Sequence, residues 1–347
     1  MTRQLRIEPD GIAIDMADHE TILQAARRAG VALPYECGWG SCGTCKVTLV
    51  AGQVDLIFPG APAVNPRDAR RNRILACQSR ATSEVTIARG PGAWSMPAPG
   101  CVERQAILRD VVDLAPEVRQ FSFETAEPID FRPGQYAILH LGADLRRCYS
   151  MSNLPGGNLL QFIARRYDGG TGSNALAALA PGAVITIEAP FGTCTLRRRP
   201  GRKVFVAGGT GIAPILAMMR EAAEARLDFG SPVDIIYGAR GPADLAAHDV
   251  LRAVIARIAQ ARYLPVVENA PSGWPHAAGF VTDAIKATIP DPAAADLGDM
   301  PAFRDSFSDE QVAALVNYMR GKFAPTAPSW SGVEHDVARL RVHQTTH

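Results

Sequence analysis

Apolar and polar residues alternate in short runs over the first ninety residues, a period that predicts β-strands packed around one helix. The runs at Arg6–Glu8 and Gly11–Ile14 predict a hairpin. The stretch Glu20–Gly30 predicts a helix that ends at its glycine. Further strands are predicted at Lys46–Val50, Ile74–Gln78 and Val85–Ile87. Residues 1–90 are therefore predicted to form an α+β domain.

The pattern changes twice further along the chain. Residues 91–100 are rich in glycine and proline and are predicted to be a linker. From residue 101 to residue 199, short apolar runs separated by turns predict a closed antiparallel β-barrel, interrupted by one helix at about Gly172–Leu179. The barrel strands are predicted at Phe121–Phe123, Tyr136–Leu139, Leu160–Ile163 and Val184–Ile187.

Strands and helices alternate over residues 200–292. The strands are predicted at Lys203–Ala207, Val233–Tyr237 and Tyr263–Val267, and the helices at Ala213–Arg226 and Leu245–Ala259. Such alternation predicts a doubly wound, parallel α/β sheet. The fold class is thus multidomain, with α+β, β-barrel and α/β parts.

Composition is that of an ordinary globular protein. The chain has 347 residues, of which 47% are hydrophobic and 20% charged, and its net charge is +1. This balance gives no reason to expect nucleic acid or a membrane surface as the main partner. No apolar run reaches the roughly 18 residues of a membrane span, and no apolar signal core begins the sequence. We therefore expect a cytoplasmic protein without membrane insertion.

Four of the seven cysteines, Cys37, Cys42, Cys45 and Cys77, follow the order C-x4-C-x2-C with a distant fourth. This is the plant-type spacing of ligands to a [2Fe–2S] cluster. A zinc site usually has two C-x2-C pairs and a Rieske centre needs two histidines, and the sequence near these cysteines has neither. An odd number of cysteines without a signal peptide argues against a disulfide framework.

Residues 1–90 resemble the plant-type ferredoxin domain, which has a β-grasp fold. The resemblance implies that Cys37, Cys42, Cys45 and Cys77 are the metal ligands. Glycines between the first three cysteines permit the backbone to curl around the cluster and leave N–H groups free to point at its sulfurs.

The barrel segment contains the motif Arg147-Cys-Tyr149-Ser150, followed some twenty residues later by a glycine-rich turn that begins the helix. A helix start of this kind offers N–H groups to a pyrophosphate. Together they resemble the flavin domain of the ferredoxin–NADP reductase superfamily. The resemblance implies FAD, with Tyr149 and Ser150 at the reactive ring as the catalytic residues. It implies that the diphosphate is held by Arg147, Gly170, Thr171, Gly172 and Ser173.

A second glycine loop follows the strand at Lys203–Ala207 and precedes a helix, where a dinucleotide pyrophosphate binds. It consists of Gly208, Gly209, Thr210 and Gly211, followed by Ile-Ala-Pro, and resembles the nicotinamide motif of the same superfamily. The resemblance places Tyr237 and Arg240 near the adenosine ribose. No basic cluster follows Arg240, which favours NADH over NADPH. Thr282 and Asp283 are interpreted as helix-capping residues.

The order of cluster, flavin and nicotinamide motifs resembles the reductase components of bacterial multicomponent oxygenases. The resemblance implies an NAD(P)H-dependent FAD and iron–sulfur reductase that passes electrons to an oxygenase or hydroxylase partner. We also expect a monomer. The nicotinamide cofactor delivers two electrons together, and the flavin divides them into single electrons for the cluster.

Residues 293–347 depart from this family. Members of this family usually end with a further strand and a Cys-Gly-Pro-Pro turn, which this sequence does not contain. The nicotinamide domain is therefore predicted to lack its last strand, which would leave the strand Lys203–Ala207 as an exposed edge. Met300–Phe303 and a helical pattern at Ser308–Phe323 resemble the end of a c-type cytochrome. No C-x-x-C-H occurs, so a covalently bound haem is not expected. The alternative function is a flavin and iron–sulfur electron carrier whose NADH-oxidising half is inactive.

Overall fold

The computed structural model describes residues 3–38, 40–58, 61, 63–90, 100–142, 145–198 and 201–288. The predicted tail at 293–347 and nearly all of the predicted linker lie outside these residues. Among the described residues, the longest helix has 13 residues, and none combines the length and apolar composition that crossing a bilayer requires.

The N-terminal part is a five-stranded sheet with the order β2-β1-β7-β3-β5, accompanied by a small β4-β6 pair. The hairpin of β1 and β2 is antiparallel, as predicted, and β1 pairs in parallel with β7. Thr21 and Gln24 cap the first helix reciprocally, which fixes its start, and its buried residues begin directly at Ile22. The elements are β1 Arg3–Glu8, β2 Ile12–Met16, α1 Ile22–Arg28, β3 Lys46–Ala51, β4 Val54–Leu56, α2 Pro66–Arg70, β5 Arg73–Leu75, β6 Ser79–Ala81 and β7 Val85–Ala88.

The middle part is an antiparallel sheet with the order β11-β10-β13-β8-β9-β12. A bridge between Met151 and Phe162 joins its two edges and closes the sheet, so the predicted barrel is confirmed. Inward-facing residues such as Phe121, Phe123 and Phe162 fill its interior. The elements are β8 Val102–Ala115, β9 Val118–Thr125, β10 Tyr136–His140, β11 Arg146–Ser150, β12 Leu159–Arg165, α3 Thr171–Ala177 and β13 Val184–Phe191.

The third part is a parallel sheet with the order β14-β15-β16-β17. Helices α4 and α5 pack against each other, and Val281 of α6 lies so close to Gly238 of β15 that any Cβ there would collide with it. Within the described residues β14 is an edge strand, with the Val206 side chain 43% exposed. The elements are β14 Lys203–Gly208, α4 Ile212–Glu224, β15 Val233–Ala239, α5 His248–Ile255, β16 Ala261–Val267, β17 Ala277–Ala278 and α6 Val281–Thr288.

Both bounds of the helix predicted at Leu245–Ala259 are wrong, and the helix ends at Ile255. The helix expected from Leu245 begins only at His248, because Ala247 has a φ of 57°, a left-handed conformation that an α-helix cannot contain. Asp283 accepts a hydrogen bond from the N–H of Phe280 at 3.4 Å, which agrees with its interpretation as a capping residue of α6.

Asp234 on β15 is fully buried and is paired with Arg202 and Arg262 at 2.6 and 2.7 Å. Burial alone would raise the pKa of Asp234, but hydrogen bonds from the two arginines outweigh it and hold the pKa below 3.8. Since the folded pKa is depressed, the carboxylate stabilises the fold above the unfolded pKa, and this contribution is lost as the pH falls through the folded value.

We therefore expect Asp234→Asn to lower the free energy of unfolding by roughly 2 kcal/mol at neutral pH, because the buried group loses its charged hydrogen bonds while the partly exposed arginines stay hydrated. The difference in unfolding free energy between variant and parent should narrow as the pH falls below about 4, where the carboxylate of the unfolded chain protonates, and should be lost once the folded carboxylate protonates as well. Urea unfolding at several pH values measures both effects. Asp113→Asn is the control, because Asp113 is exposed in its pair with Arg119 and should change little. Equal losses in the two variants would contradict the assignment.

Candidate cofactor sites

The four cysteines predicted to bind a cluster are brought together at one end of the first sheet. Cys45 is the last residue of the loop, directly before β3. Cys77 lies two residues after the end of β5, the strand that pairs with β3. The Sγ atoms of Cys45 and Cys77 lie 3.2 Å apart and are buried. Cys42 is exposed and Cys37 half-buried, so one side of the set faces solvent.

Backbone N–H groups of the loop point at the sulfurs. Cys37 Sγ accepts from the N–H groups of Ser41 and Cys42 at 3.3 and 3.4 Å, and Cys42 Sγ accepts from Thr44 at 3.4 Å. The hydrogen bonds that Cys42 receives from Cys37 and Thr44 lower its pKa to about 4, which favours the thiolate. Four neighbouring cysteines, two of which receive backbone N–H donors at their sulfurs, are the ligand set that a [2Fe–2S] cluster needs, so the residues fit this group.

Gln78 is a neighbour of the cysteines that the sequence patterns do not identify. Its buried side chain donates to Gly38 O at 3.4 Å and reaches Cys77 Sγ at 3.7 Å. Gly40, with a φ of 98°, leaves room for it, because a Cβ there would lie 3.1 Å from Gln78 Cγ. Gln78 therefore fixes the loop against the strand that carries the fourth cysteine.

The cysteine loop lies directly on the barrel. Gly38 packs against Ile138 of β10 so closely that any Cβ would collide with the isoleucine side chain. Next to it, the Cys148 thiol of β11 donates a hydrogen bond to Cys37 O at 2.7 Å. Burial raises the pKa of Cys148 to about 12, so the thiol keeps the proton that it donates. Cys148, a residue without a role in the motif, thus joins the motif Arg147–Ser150 to the cysteine loop.

A buried charged cluster holds the helix α1 on the same side of the barrel. Glu188 of β13, whose side chain is 4% exposed, pairs with Arg27 at 3.2 Å and accepts from Gln24 at 3.3 Å. His140 contacts the same carboxylate at 2.7 Å, and Arg146 lies 3.7 Å away. Burial raises the pKa of Glu188, but the hydrogen bond from His140 and the charges of Arg27 and Arg146 lower it by more. The net pKa is therefore below the ordinary value, and Glu188 stays ionised. We call Glu188 and its four partners the interdomain clamp.

Arg147 and the glycine-rich turn, which were predicted to hold the flavin diphosphate, meet at the start of α3. Arg147 lies across the first turn of this helix, and a Cβ on Gly172 would approach its Cγ to 2.5 Å. No side chain caps this described helix at Gly170, so its first N–H groups remain available to a phosphate. Tyr149 packs against the barrel core, and burial raises its pKa. The cradle and the adjacent ring fit a flavin dinucleotide.

Three other residues predicted for the flavin, Ser173, Thr171 and Ser150, lie in or near the same region. Ser173 Oγ accepts from the N–H of Tyr167 and donates to Gly170 O, both at 3.1 Å, so it holds the turn in place. Thr171 is the first residue of α3 and is exposed. Ser150 ends β11 opposite Tyr136 and is half-buried.

A cavity of about 340 Å³ lies where β14, β15 and β16 end. Its wall includes Gly208, Gly209, Thr210, Arg240 and Glu268. The carboxyl ends of parallel strands are where dinucleotides bind in such sheets, and open space above both glycines fits the close approach of a pyrophosphate. Gly211 lies just behind this wall, at the start of α4. A larger open depression of about 660 Å³ on the barrel, near Glu117, contains none of the predicted site residues.

Tyr237, predicted at the ribose, does not line this cavity. Its side chain is fully buried, and its hydroxyl donates to Gly209 O at 3.0 Å, with Ala246 O at 3.3 Å. The prediction of direct contact is therefore corrected: Tyr237 supports the glycine loop from below. The strand around it is buried on both faces, which is the signal that could have indicated this role.

We expect Tyr237→Phe to raise the KM for the nicotinamide cofactor about fivefold, because a lost hydrogen bond of about 1 kcal/mol loosens the loop. Steady-state kinetics measure the effect, and kcat should change little. Tyr263→Phe is a matched control, since the Tyr263 hydroxyl contacts His248 at 2.9 Å and not the loop. An equal KM in the two variants would show that the loop does not depend on Tyr237.

Comparisons with known proteins agree with this arrangement. Residues 5–82 match the family model of the 2Fe-2S iron-sulfur cluster binding domain. Residues 105–196 match the oxidoreductase FAD-binding domain, and residues 205–300 match the oxidoreductase NAD-binding domain.

Similar proteins span nearly the same length. The chain is 37% identical over 297 residues to the ferredoxin–NAD(+) reductase component of an alkene monooxygenase system from Xanthobacter autotrophicus, covering 83% of this chain and 89% of that protein. It is 30% identical to the reductase component of naphthalene 1,2-dioxygenase/salicylate 5-hydroxylase systems from a Ralstonia species, covering 83% and 87%. The ferredoxin reductase in carbazole 1,9a-dioxygenase, a solved structure, has a TM-score of 0.72 at 26% identity, with 83% of this chain and 86% of that chain covered.

Proposed function

The chain belongs to the ferredoxin–NAD(P)+ reductase components of oxygenase systems, and we propose that it oxidises NADH and supplies an oxygenase or hydroxylase with single electrons. Members of this family transfer electrons from NAD(P)H through FAD to a [2Fe–2S] cluster. The protein's own residues bind these groups, hold them at fixed separations and keep the transfer within one chain.

The hydrogen bond from the Cys148 thiol to Cys37 O is the main observation that supports this proposal. Cys148 lies between Arg147 and Tyr149, the residues we propose to hold the flavin, while Cys37 is a proposed cluster ligand. The two sites are therefore joined by one hydrogen bond and a short stretch of backbone. Such a contact supports transfer within one chain, without release of a carrier.

We propose the following division of roles for the site residues. Cys37, Cys42, Cys45 and Cys77 bind the cluster. Tyr149 covers the flavin ring, Ser150 donates to its reactive edge, and Arg147 with the turn at Gly170–Ser173 neutralises the diphosphate. Gly208–Gly211 and Arg240 bind the nicotinamide dinucleotide. The corresponding domains are residues 1–90, 101–199 and 200–292.

The charges of the cavity support NADH as the electron donor. Asp244 and Glu268 both face it, and Arg165 is engaged with Asp244 at 3.4 Å. Among the described residues, Arg240 is then the one cavity arginine that forms no ion pair, which is too little positive charge for a 2′-phosphate. Carboxylates near the ribose instead suit the 2′-hydroxyl of NADH.

A single chain carries all three proposed sites, so we propose that the protein acts as a monomer. The relatives named above are components of oxygenase systems, which supports an oxygenase as the electron acceptor. The described contacts within one chain, including the clamp, do not require a second copy.

The experiment that tests the donor is steady-state reduction of ferricyanide by the purified holoprotein with NADH and with NADPH. We expect kcat/KM to be at least about tenfold higher for NADH, a difference of about 1.4 kcal/mol. A preference for NADPH would overturn the choice of donor. No turnover with either nucleotide, while flavin and cluster are present, would support the alternative of a carrier with an inactive nicotinamide half.

A further inference from the structure

Four exposed arginines fall within seven positions of the ferredoxin-like domain: Arg67, Arg70, Arg71 and Arg73. We call this group the arginine surface. The acidic residue among them, Asp68, is buried and faces Lys46 at 2.8 Å and Arg73 at 3.9 Å. Among the described residues, no carboxylate is recorded in an ion pair with Arg67, Arg70 or Arg71. The surface therefore carries concentrated positive charge, although the whole chain has a net charge of only +1.

The arginine surface borders the cysteine loop. Asp68 holds Lys46, and the Lys46 side chain lies over Gly43, where a Cβ would be 3.2 Å from Lys46 Cε. Asn65 and Asp68 cap α2 reciprocally, which fixes the short helix that presents the arginines. Arg73 begins β5, the strand that leads to Cys77. The arginine surface is thus held beside the cysteine loop on two sides, through Lys46 and through β5.

The cysteine loop has an inner and an outer side. Its inner side is occupied, because Gly38 packs on Ile138 and Cys37 O accepts from Cys148. Its outer side is exposed at Ser41, Cys42 and Thr44. Since the flavin motif lies on the inner side, a protein acceptor can approach the proposed cluster only from the exposed side, next to the arginines.

We propose that the arginine surface is the docking site for an acidic surface of the protein electron acceptor. This inference rests on the proposed function, since it takes the cysteine loop as the exit for electrons. Clustered charge beside a reaction site accelerates association by about 10- to 1,000-fold and makes it sensitive to salt. The near-neutral whole chain favours a protein with a local acidic patch over a nucleic acid, which binds domains that are basic overall.

The test compares a variant combining Arg67→Glu, Arg70→Glu and Arg71→Glu with a control combining Arg6→Glu, Arg132→Glu and Arg257→Glu. The control makes the same charge change at exposed arginines away from α2. The probes are two haem proteins, acidic soluble cytochrome b5 and basic cytochrome c. Each holoprotein is reduced with dithionite, freed of excess reductant and mixed with either probe, so the readout does not depend on NADH.

We expect the second-order rate with cytochrome b5 to fall at least about tenfold in the α2 variant at low salt, and the difference to vanish near 1 M salt. The rate with cytochrome c should not fall, and the control should change neither rate by more than about twofold. An equal decrease in the two variants, or none, overturns the proposal. Loss of binding to a single-stranded oligonucleotide with unchanged cytochrome b5 rates overturns it in favour of nucleic acid. If NADH fails to reduce the parent holoprotein and both variants, this would count against the proposed function alone.

Discussion

Cys77→Ser is expected to abolish the iron–sulfur cluster while leaving the flavin reducible by NADH. Cys77 is buried at the end of β5 and lies 3.2 Å from Cys45, so its sulfur is placed to complete the ligand set. A serine hydroxyl is a much weaker ligand for iron at neutral pH, because it keeps its proton. Even residues behind the ligands change metal affinity about 10- to 100-fold, and the loss of a ligand should exceed this range.

Iron content, the visible spectrum and electron transfer to a protein acceptor measure this effect. Iron should fall close to zero and electron transfer to cytochrome c should fall at least about 100-fold, while NADH-dependent flavin bleaching continues. Cys194→Ser is the matched control, because Cys194 is exposed and lies outside the cysteine loop. A Cys77→Ser protein with a full complement of iron would contradict the assignment of the fourth ligand.

Glu188→Gln is expected to slow cluster reduction by about 100-fold without slowing flavin reduction. Glu188 and Arg27 have side chains only 4% and 9% exposed, and the change leaves Arg27 and Arg146 without their carboxylate. Breaking a buried pair in this way costs about 3–5 kcal/mol, so the ferredoxin-like domain should leave its position on the barrel. A misplacement of about 1 Å is enough to cost about 100-fold in rate.

Stopped-flow absorbance after mixing with NADH separates the two steps, since flavin and cluster bleach at different wavelengths. Arg27→Gln removes the other half of the pair and should give the same kinetic pattern. Glu124→Gln is the control, because Glu124 lies in an exposed pair with Arg109 on the barrel and contributes little to stability. Parallel slowing of flavin and cluster reduction would point to general unfolding, and unchanged cluster reduction would remove the clamp from the electron path.

Much of the fold follows from local patterns. The hairpin of β1 and β2, the barrel strands and the alternation from β14 onward all have the period that their burial requires. The start of α5 could not be predicted, since an alanine in the sequence gives no indication of the left-handed conformation that Ala247 adopts. The cysteine spacing identified the cluster candidates because C-x4-C-x2-C is a chemical signature independent of the remaining fold.

The contacts between domains could not be predicted in this way. Gln24 and Glu188 are 164 positions apart, and Cys148 and Cys37 are 111 apart, so no periodic pattern connects them. Each looks ordinary alone: a polar residue on a helix, an acid on a strand, a cysteine inside a motif. The roles of these residues depend on how the ferredoxin-like sheet packs on the barrel, and only the three-dimensional structure shows that packing.

Within this one chain, we propose, electrons from NADH reach the cluster. Anaerobic addition of excess NADH to the holoprotein, followed by visible absorbance and electron paramagnetic resonance, tests it most directly. We expect flavin and cluster absorbance both to bleach and the signal of a reduced [2Fe–2S] cluster to appear, close to the extent reached with dithionite. A cluster that dithionite reduces but NADH leaves oxidised would contradict it.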